Sequence, residues 1–173
     1  SGFVKSDFFY DTRQTVNSYK WKRGRMTIEI ADFSAVDYDD AIALWKRCEG
    51  IGLSDADERE PLTAFLMKNP GLNFIARENG TIVGTCLCGS DGRRGYLYHL
   101  AVDPAQRRKG IGRILAQKAL QALALHGIQK CHIMVFGANE LGLTFWKSEG
   151  WVTRPEIVLM SHNVGCEERG VPC

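Results

Sequence analysis

The dipeptide Asn79-Gly80 sits between two apolar runs, "LNFIARE" and "TIVGTCLCGS", and it restricts the chain severely. A two-residue turn between strands needs positive φ at both central positions. Asparagine and glycine tolerate that best, so the two runs should fold back as an antiparallel hairpin. A second turn at Asp91-Gly92 leads into "GYLYHLAV", a third strand. Strands joined this closely commit the middle of the chain to a sheet, whose faces must then be covered. Covering helices are legible on both sides. Upstream, "SAVDYDDAIALWKRC" opens on Ser34 as a candidate N-cap, carries acids early and bases late, and stops at Gly50. "DEREPLTAFLMKNPG" has Pro61 near its start and Pro70-Gly71 at its end. Downstream, Gly110 to His126 sets Ile111, Ile114, Leu115, Ala119, Ala122 and Leu123 on one stripe, closed by Gly127.

The remaining elements are shorter. "MTIEIADF", from Met26, alternates as a strand, and "KCHIMVF" reads as another. "NELGLTFWKSEG" is a short helix, and "WVT" and "EIVLMS" are expected as closing strands on either side of Pro155. The order β-α-α-β-β-β-α-β-α-β-β predicts an α/β fold of one domain, a mixed and mostly antiparallel sheet flanked by helices. That domain spans residues 26–161. Residues 1–25, ending in the basic "KWKRGR", form an extension that is an ordered arm, a partner-binding segment, a leader or simply mobile, and residues 162–173 form an irregular tail.

Composition excludes several classes. A net charge of +2 is no polycation, so nucleic acid is not the default partner. No apolar run approaches the roughly 18 residues that span a bilayer. The start "SGFVKSDFFYD" lacks the basic-then-apolar pattern of a secretory leader, and a cytoplasmic protein is expected. Cys48, Cys86, Cys88 and Cys131 lie in apolar stretches and read as buried thiols. Cys86-x-Cys88 has strand spacing and no second pair completes a metal site, so no metal is expected. Cys166 and Cys173 lie in the polar tail, where a reducing compartment would keep them apart.

The stretch that carries chemistry is "VDPAQRRKGIGRILAQKAL". Gly110 and Gly112 remove side chains where a helix begins, so its unpaired N–H groups and positive dipole end can meet an anion. Arg107, Arg108, Lys109 and Arg113 add charge suited to phosphate oxygens. The plainer alternative is a solvated helix start. A Walker loop is excluded by the missing Gly-Lys-Ser/Thr, and a dinucleotide loop by Leu115 where it needs glycine.

"HLAVDPAQRRKGIGRILAQKAL", with Arg107-x-x-Gly110-x-Gly112, resembles the acyl-CoA signature of the GNAT N-acetyltransferase superfamily. "NELGLTFWKSEGW" is similar to that family's second motif. The resemblance covers about residues 26–161 and points to the single-domain bacterial type. It implies an N-acetyltransferase that moves an acetyl group from acetyl-CoA to a primary amine by direct attack in a ternary complex. It also implies that backbone amides from Arg108 through Lys109, Gly110, Ile111 and Gly112 to Arg113 hold the pyrophosphate, with Arg107 beside them. Pantetheine would run between splayed strands against Leu100, Ala101 and Val102. Asn139 would reach the cofactor from the other side, near Phe145 and Trp146, and the Leu100 N–H would polarise the thioester carbonyl.

The catalytic groups are less plain. Strand parity sets Tyr96, Tyr98 and Leu100 on one face and Leu97, His99 and Ala101 on the other. The resemblance turns the first set toward the active site, where tyrosine, with an ordinary pKa near ~10, is a poor base. His99 has the better chemistry on the opposite face, unless a bulge re-aims it; the alternative is a structural histidine. Glu49 is another candidate, or a solvated acid at a helix end. Trp146 stands where many relatives carry a tyrosine acid, and an indole cannot give up a proton in that role. Tyr96, Tyr98 and the stretch Trp45–Ile51 could line an acceptor pocket, or Trp45 could be core. The arginines of "DGRRG" could attract an acidic acceptor or simply be solvated. Two other functions stay open: an acyl-CoA-binding module without catalysis, and salt-sensitive nucleic-acid binding through "KWKRGR". A homodimer through the closing strands or the N-terminal arm is also compatible, and the acceptor amine is not named by any motif.

Overall fold

The computed structural model describes residues 19–23 and 26–164. Its strands are β1 (Tyr19–Arg23), β2 (Met26–Asp32), β3 (Phe74–Glu78), β4 (Thr81–Ser90), β5 (Gly95–Val102) and β6 (Cys131–Ile133). Its α-helices are α1 (Tyr38–Arg47), α2 (Arg59–Lys68), α3 (Ile111–Leu125) and α4 (Glu140–Ser148). The sheet runs β1 to β6 in sequence order. Every neighbouring pair is antiparallel except β5 and β6, which are parallel. The chain divides into two compact units, Ser1–Asn139 and Glu140–Cys173. No helix among the described residues is long and apolar enough to cross a membrane.

The expected hairpin forms as its residues require: φ is 50° at Asn79 and 81° at Gly80, both left-handed. α1 and α2 cover one sheet face, burying Leu44, Trp45, Leu62, Ile75 and Leu87 in one cluster. α3 packs on β4 and β5 from the other face, through Ile111, Leu115, Ala119 and Leu123. Two glycines let it come close. A β-carbon on Gly84 would sit 3.0 Å from Ile111 and Leu115, and one on Gly95 2.4 Å from Leu123. Leu115 is fully buried, so truncating it to alanine costs about 2–5 kcal/mol.

The entry to α1 is held by a buried carboxylate. The Ser34 amide and hydroxyl each donate to Asp37 Oδ2 at 2.9 Å. Asp37 is 4% exposed, and its other oxygen accepts from the Arg77 guanidinium of β3. This closes a capping box whose spare valence is filled by a permanent cation.

Three expectations need correction. "WVT" and "EIVLMS" form no strand; Val158 and Met160 are 79% and 87% exposed. Alternation supplies β propensity, but a strand exists only when a ladder accepts it, and residues 152–164 pair with none. "KCHIMVF" pairs only over Cys131–Ile133, because β6 leaves β5 after the Leu97–Ile133 pair. Within the expected extension, residues 19–23 add β1 to the sheet, Trp21 opposite Ile28. Residues 1–18, 24–25 and 165–173, with Cys166 and Cys173, lie outside the described residues.

Candidate active site

β5 carries a bulge at its centre. Thr85 of β4 pairs with Ala101 and Leu87 with Tyr98, so Cys86 alone faces both His99 and Leu100. His99 absorbs the extra residue with φ at 42°, a left-handed conformation that a non-glycine residue adopts at some cost. The bulge inverts strand parity. Tyr98 packs edge-on against Phe65 of α2, on the α1/α2 face. Beyond the bulge it is Ala101, opposite Thr85, that belongs to this face, because the Thr85 hydroxyl accepts from Trp45 Nε1 at 2.7 Å. Val102, opposite Gly84, belongs to the α3 face. The alternation that put His99 and Tyr98 on opposite faces is therefore broken.

His99 turns toward α1 and α2. Its ring meets Trp45 edge-on, with centroids 4.6 Å apart, and its Nε2 lies 2.6 Å from Asp57 Oδ1. Trp45 itself is 1% exposed and belongs to the core, not to a pocket wall. Tyr96 and Tyr98 stack at 6.4 Å, and Tyr96 tilts against His132 of β6 at 5.8 Å. This row of half-buried rings continues from His99 along the same face. Burial pushes the Tyr98 hydroxyl up, with Tyr96, Cys88 and Cys131 adding to it, so the phenol stays protonated.

The edge of β5 beyond Leu97 faces no ladder on its β6 side, and Leu100, Ala101 and Val102 all lie in that stretch. The Val102 carbonyl draws two side chains: Arg107 Nε donates to it at 3.2 Å, and the Cys48 thiol at 3.5 Å. Arg107 thus bridges the end of β5 and the start of the glycine motif through its Nε. Burial pushes the Cys48 thiol up, against the opposing pull of Arg107.

Past Val102 the chain makes one 3₁₀ turn, capped by Asp103, and reaches the glycine motif. Arg108 and Gly110 are left-handed, at φ 62° and 88°, and both are exposed. At Gly110 and Ile111 a left-handed residue is followed by a right-handed one, a pairing that aims successive N–H groups into one concavity, an anion nest. Gly110 is the N-cap of the fifteen-residue α3 and offers no side chain to its open amides. A β-carbon there would meet nothing within 4 Å, so the requirement for glycine is conformational. Lys109 is drawn aside by Gln106, which in turn donates to Glu78 at 2.6 Å. Arg113 is exposed on the first turn of α3, Gly112 is half-buried beside it, and the Ile111 side chain is core, so Ile111 offers only backbone.

A gapped sheet edge leading to a glycine nest at a helix start suits a ligand with an extended arm and a diphosphate. Residues 38–151 match the model of the "Acetyltransferase (GNAT) family". The chain belongs to the GNAT acetyltransferase family. An "Acetyltransferase" of Yersinia pestis is 31% identical over 132 residues, covering 76% of this chain and 93% of the relative. One of Pectobacterium atrosepticum is 34% identical over 113 residues, covering 65% and 79%. Among solved structures, the PaiA N-acetyltransferase of Thermoplasma acidophilum in complex with coenzyme A superposes with a TM-score of 0.65 at 21% identity, over 72% of this chain and 89% of that one. AAC(6')-Iy in complex with a bisubstrate analog gives 0.63 at 15%, over 79% and 99%. This GNAT chain is an acetyltransferase.

The other GNAT-motif residues divide between the two units. Asn139 ends the first, in a turn where its amide donates to the Phe136 carbonyl at 2.9 Å. A β-carbon on Gly50 would come within 2.3 Å of the Asn139 side chain, so the loop after α1 lies directly on it. Glu49 is exposed in that loop. Phe145 and Trp146 belong to the second unit, where Trp146 packs edge-on against both Phe145 and Trp151 at 5.0 Å. Arg93 and Arg94 are exposed in a turn organised by Asp91, whose Oδ1 accepts both their amides. Sequence reasoning missed Asp57, Thr85 and the Cys48 contact. Only Asp57 left a local signal, the Ser54-x-x-Asp57 spacing of a cap.

Proposed function

We propose that this acetyltransferase acetylates a primary amine by direct attack in a ternary complex, with His99 as the general base. The backbone amides of residues 108–113, supported by Arg108 and Arg113, would hold the diphosphate. The β5 edge at Leu100, Ala101 and Val102 would take the pantetheine arm, and Asn139, Phe145 and Trp146 are assigned to the same ligand by their motif positions. Acetyl-CoA supplies a thioester whose acetyl carbon is open to an unprotonated amine. The Leu100 N–H, in the bulge, donates to the thioester oxygen; a pre-aimed donor of this kind lowers a barrier by about 3 kcal/mol. His99 Nδ1 removes the amine proton as the nitrogen–carbon bond forms and the carbon–sulfur bond breaks. Tyr98, kept protonated, donates a hydrogen bond to the departing sulfur, and solvent water supplies its proton. Tyr96 extends the ring row that receives the acceptor's organic part.

One observation carries this reading: the bulge opposite Cys86, which turns an imidazole onto the face that parity alone denied it. The test is calorimetry with acetyl-CoA, followed by thiol release with spermidine, kanamycin, phenylalanine and an alanine-terminated peptide. Tight binding with release for one amine is expected. G110A should weaken binding about tenfold, since alanine resists the left-handed cap by about 1–2 kcal/mol. Binding without release from any amine would make the chain a coenzyme-A-binding module and overturn the catalytic reading.

A further inference from the structure

Asp57 is a buried carboxylate that the reaction above does not use. It lies in a 3₁₀ turn (Asp55–Asp57) before α2 and is 8% exposed. Its Oδ2 accepts the Ser54 amide at 2.8 Å and the Ser54 hydroxyl at 3.3 Å. Its Oδ1 faces His99 Nε2 at 2.6 Å, across 42 residues of sequence. We propose that Asp57 is a positioning residue for acetyl transfer, fixing His99 in the one tautomer and orientation that leave Nδ1 free to take a proton. This rests on the reading of His99 as the base.

The tautomer follows from hydrogen-bond chemistry. An ionised carboxylate only accepts, so the proton between the two groups sits on Nε2. The neutral ring then carries its lone pair on Nδ1. That atom has no hydrogen-bond partner among the described residues. No buried side-chain nitrogen or oxygen among them lacks a partner, so Nδ1 is open to water. Orientation is fixed from two further sides. Trp45 stands edge-on against the ring. The same Trp45 donates to Thr85, whose hydroxyl donates in turn to the His99 carbonyl at 3.1 Å. The left-handed backbone at His99 is thereby clamped together with its side chain. When Nδ1 takes the amine proton, the imidazolium faces a carboxylate already in place, and nothing must reorganise.

The test is a double-mutant cycle on the full chain, using whichever amine of the four-member panel is acetylated. H99Q should lower kcat about 10²-fold, the usual contribution of a general base. D57N should lower it about tenfold or more, with KM for acetyl-CoA unchanged. The double variant should be no slower than H99Q alone, because Asp57 acts only through His99. If the D57N loss recurs in full in the H99Q background, the carboxylate is merely structural and the proposal is overturned. If H99Q keeps its rate, the reading of His99 as base fails first, separately. Long-range proton–nitrogen NMR of the imidazole gives a readout independent of turnover. It should find the neutral ring protonated on Nε2, and D57N should relax that preference. A parent ring protonated on Nδ1 would overturn the proposal whether or not the variants fold.

Discussion

The two buried aspartates at Asp37 and Asp57 are built alike and end differently. Each stands three residues after a serine, each accepts that serine's amide and hydroxyl on Oδ2, and each closes a 3₁₀ turn. They differ in what meets Oδ1. At Asp37 it is the Arg77 guanidinium, a cation at every accessible pH. At Asp57 it is His99, a ring that can exchange its proton and whose second nitrogen is open to water. The first arrangement discharges a buried carboxylate and fastens α1 to the sheet. The second does the same for the turn before α2, yet leaves a proton acceptor next to the only bulge on β5. The same capping device thus serves anchoring in one place and chemistry in the other, and the partner residue decides which.

Exchanging the partner is the sharpest way to break this comparison. H99R would convert the second box into a copy of the first. We expect the fold to persist, since the ion pair is retained, while kcat falls by about 10²-fold or more because no lone pair remains. Activity surviving in H99R would show the histidine to be an anchor after all. The converse is D37N, which leaves the Arg77 charge facing an amide. It should cost about 2–3 kcal/mol in chemical denaturation, somewhat below a fully buried pair because Arg77 is 25% exposed, and leave kcat within about twofold. A large kcat loss there would mean both boxes feed the site.

Much of this arrangement could be read in advance, and the limits have identifiable causes. Asn79-Gly80, the caps and stops of the helices and Gly110 act locally, so their neighbours in sequence sufficed. The bulge did not, because it arises from two residues of β5 meeting one of β4, and an alternation pattern within one strand carries no trace of the partner's register. Parity was therefore correct up to Tyr98 and inverted after it. Asp57 leaves only the Ser54-x-x-Asp57 spacing of a cap in the sequence, and that spacing carries no trace of a partner 42 positions away. The closing strands failed for the opposite reason: residues 156–161 have the composition of a strand, but propensity alone supplies no ladder. In "KWKRGR" the charges mask the strand character of the residues that pair with β2, and composition alone leaves an ordered arm and a mobile one equally open.

Smaller perturbations sharpen the comparison further. S34A and S54A each remove a hydroxyl from an equivalent box and should each cost about 1 kcal/mol of stability. Only S54A should also slow turnover, by a few-fold, since a looser Asp57 holds His99 less well. Equal effects on turnover from both serines would erase the distinction.

The mildest case is Asp103, a third capping aspartate, this time near the surface. Its Oδ1 accepts the Ala105 amide at 3.0 Å and its Oδ2 lies 3.1 Å from Arg47, which is 51% exposed. Burial pushes this carboxyl up slightly, but the Ala105 amide and Arg47 outweigh it, so its pKa falls below the ordinary carboxylate value. A carboxylate depressed in the folded state adds stability above its unfolded pKa of ~3.9 and loses that contribution as pH falls through the lower folded value. With so exposed a partner, D103N should cost only about 0.5 kcal/mol at neutral pH, and less at high salt. Melting the parent and D103N side by side at neutral pH and again near pH ~2 should therefore show a gap that closes in acid. A gap of constant size would mean that the Asp103 cap works by shape and not by charge, and that burial is not what separates it from the other two.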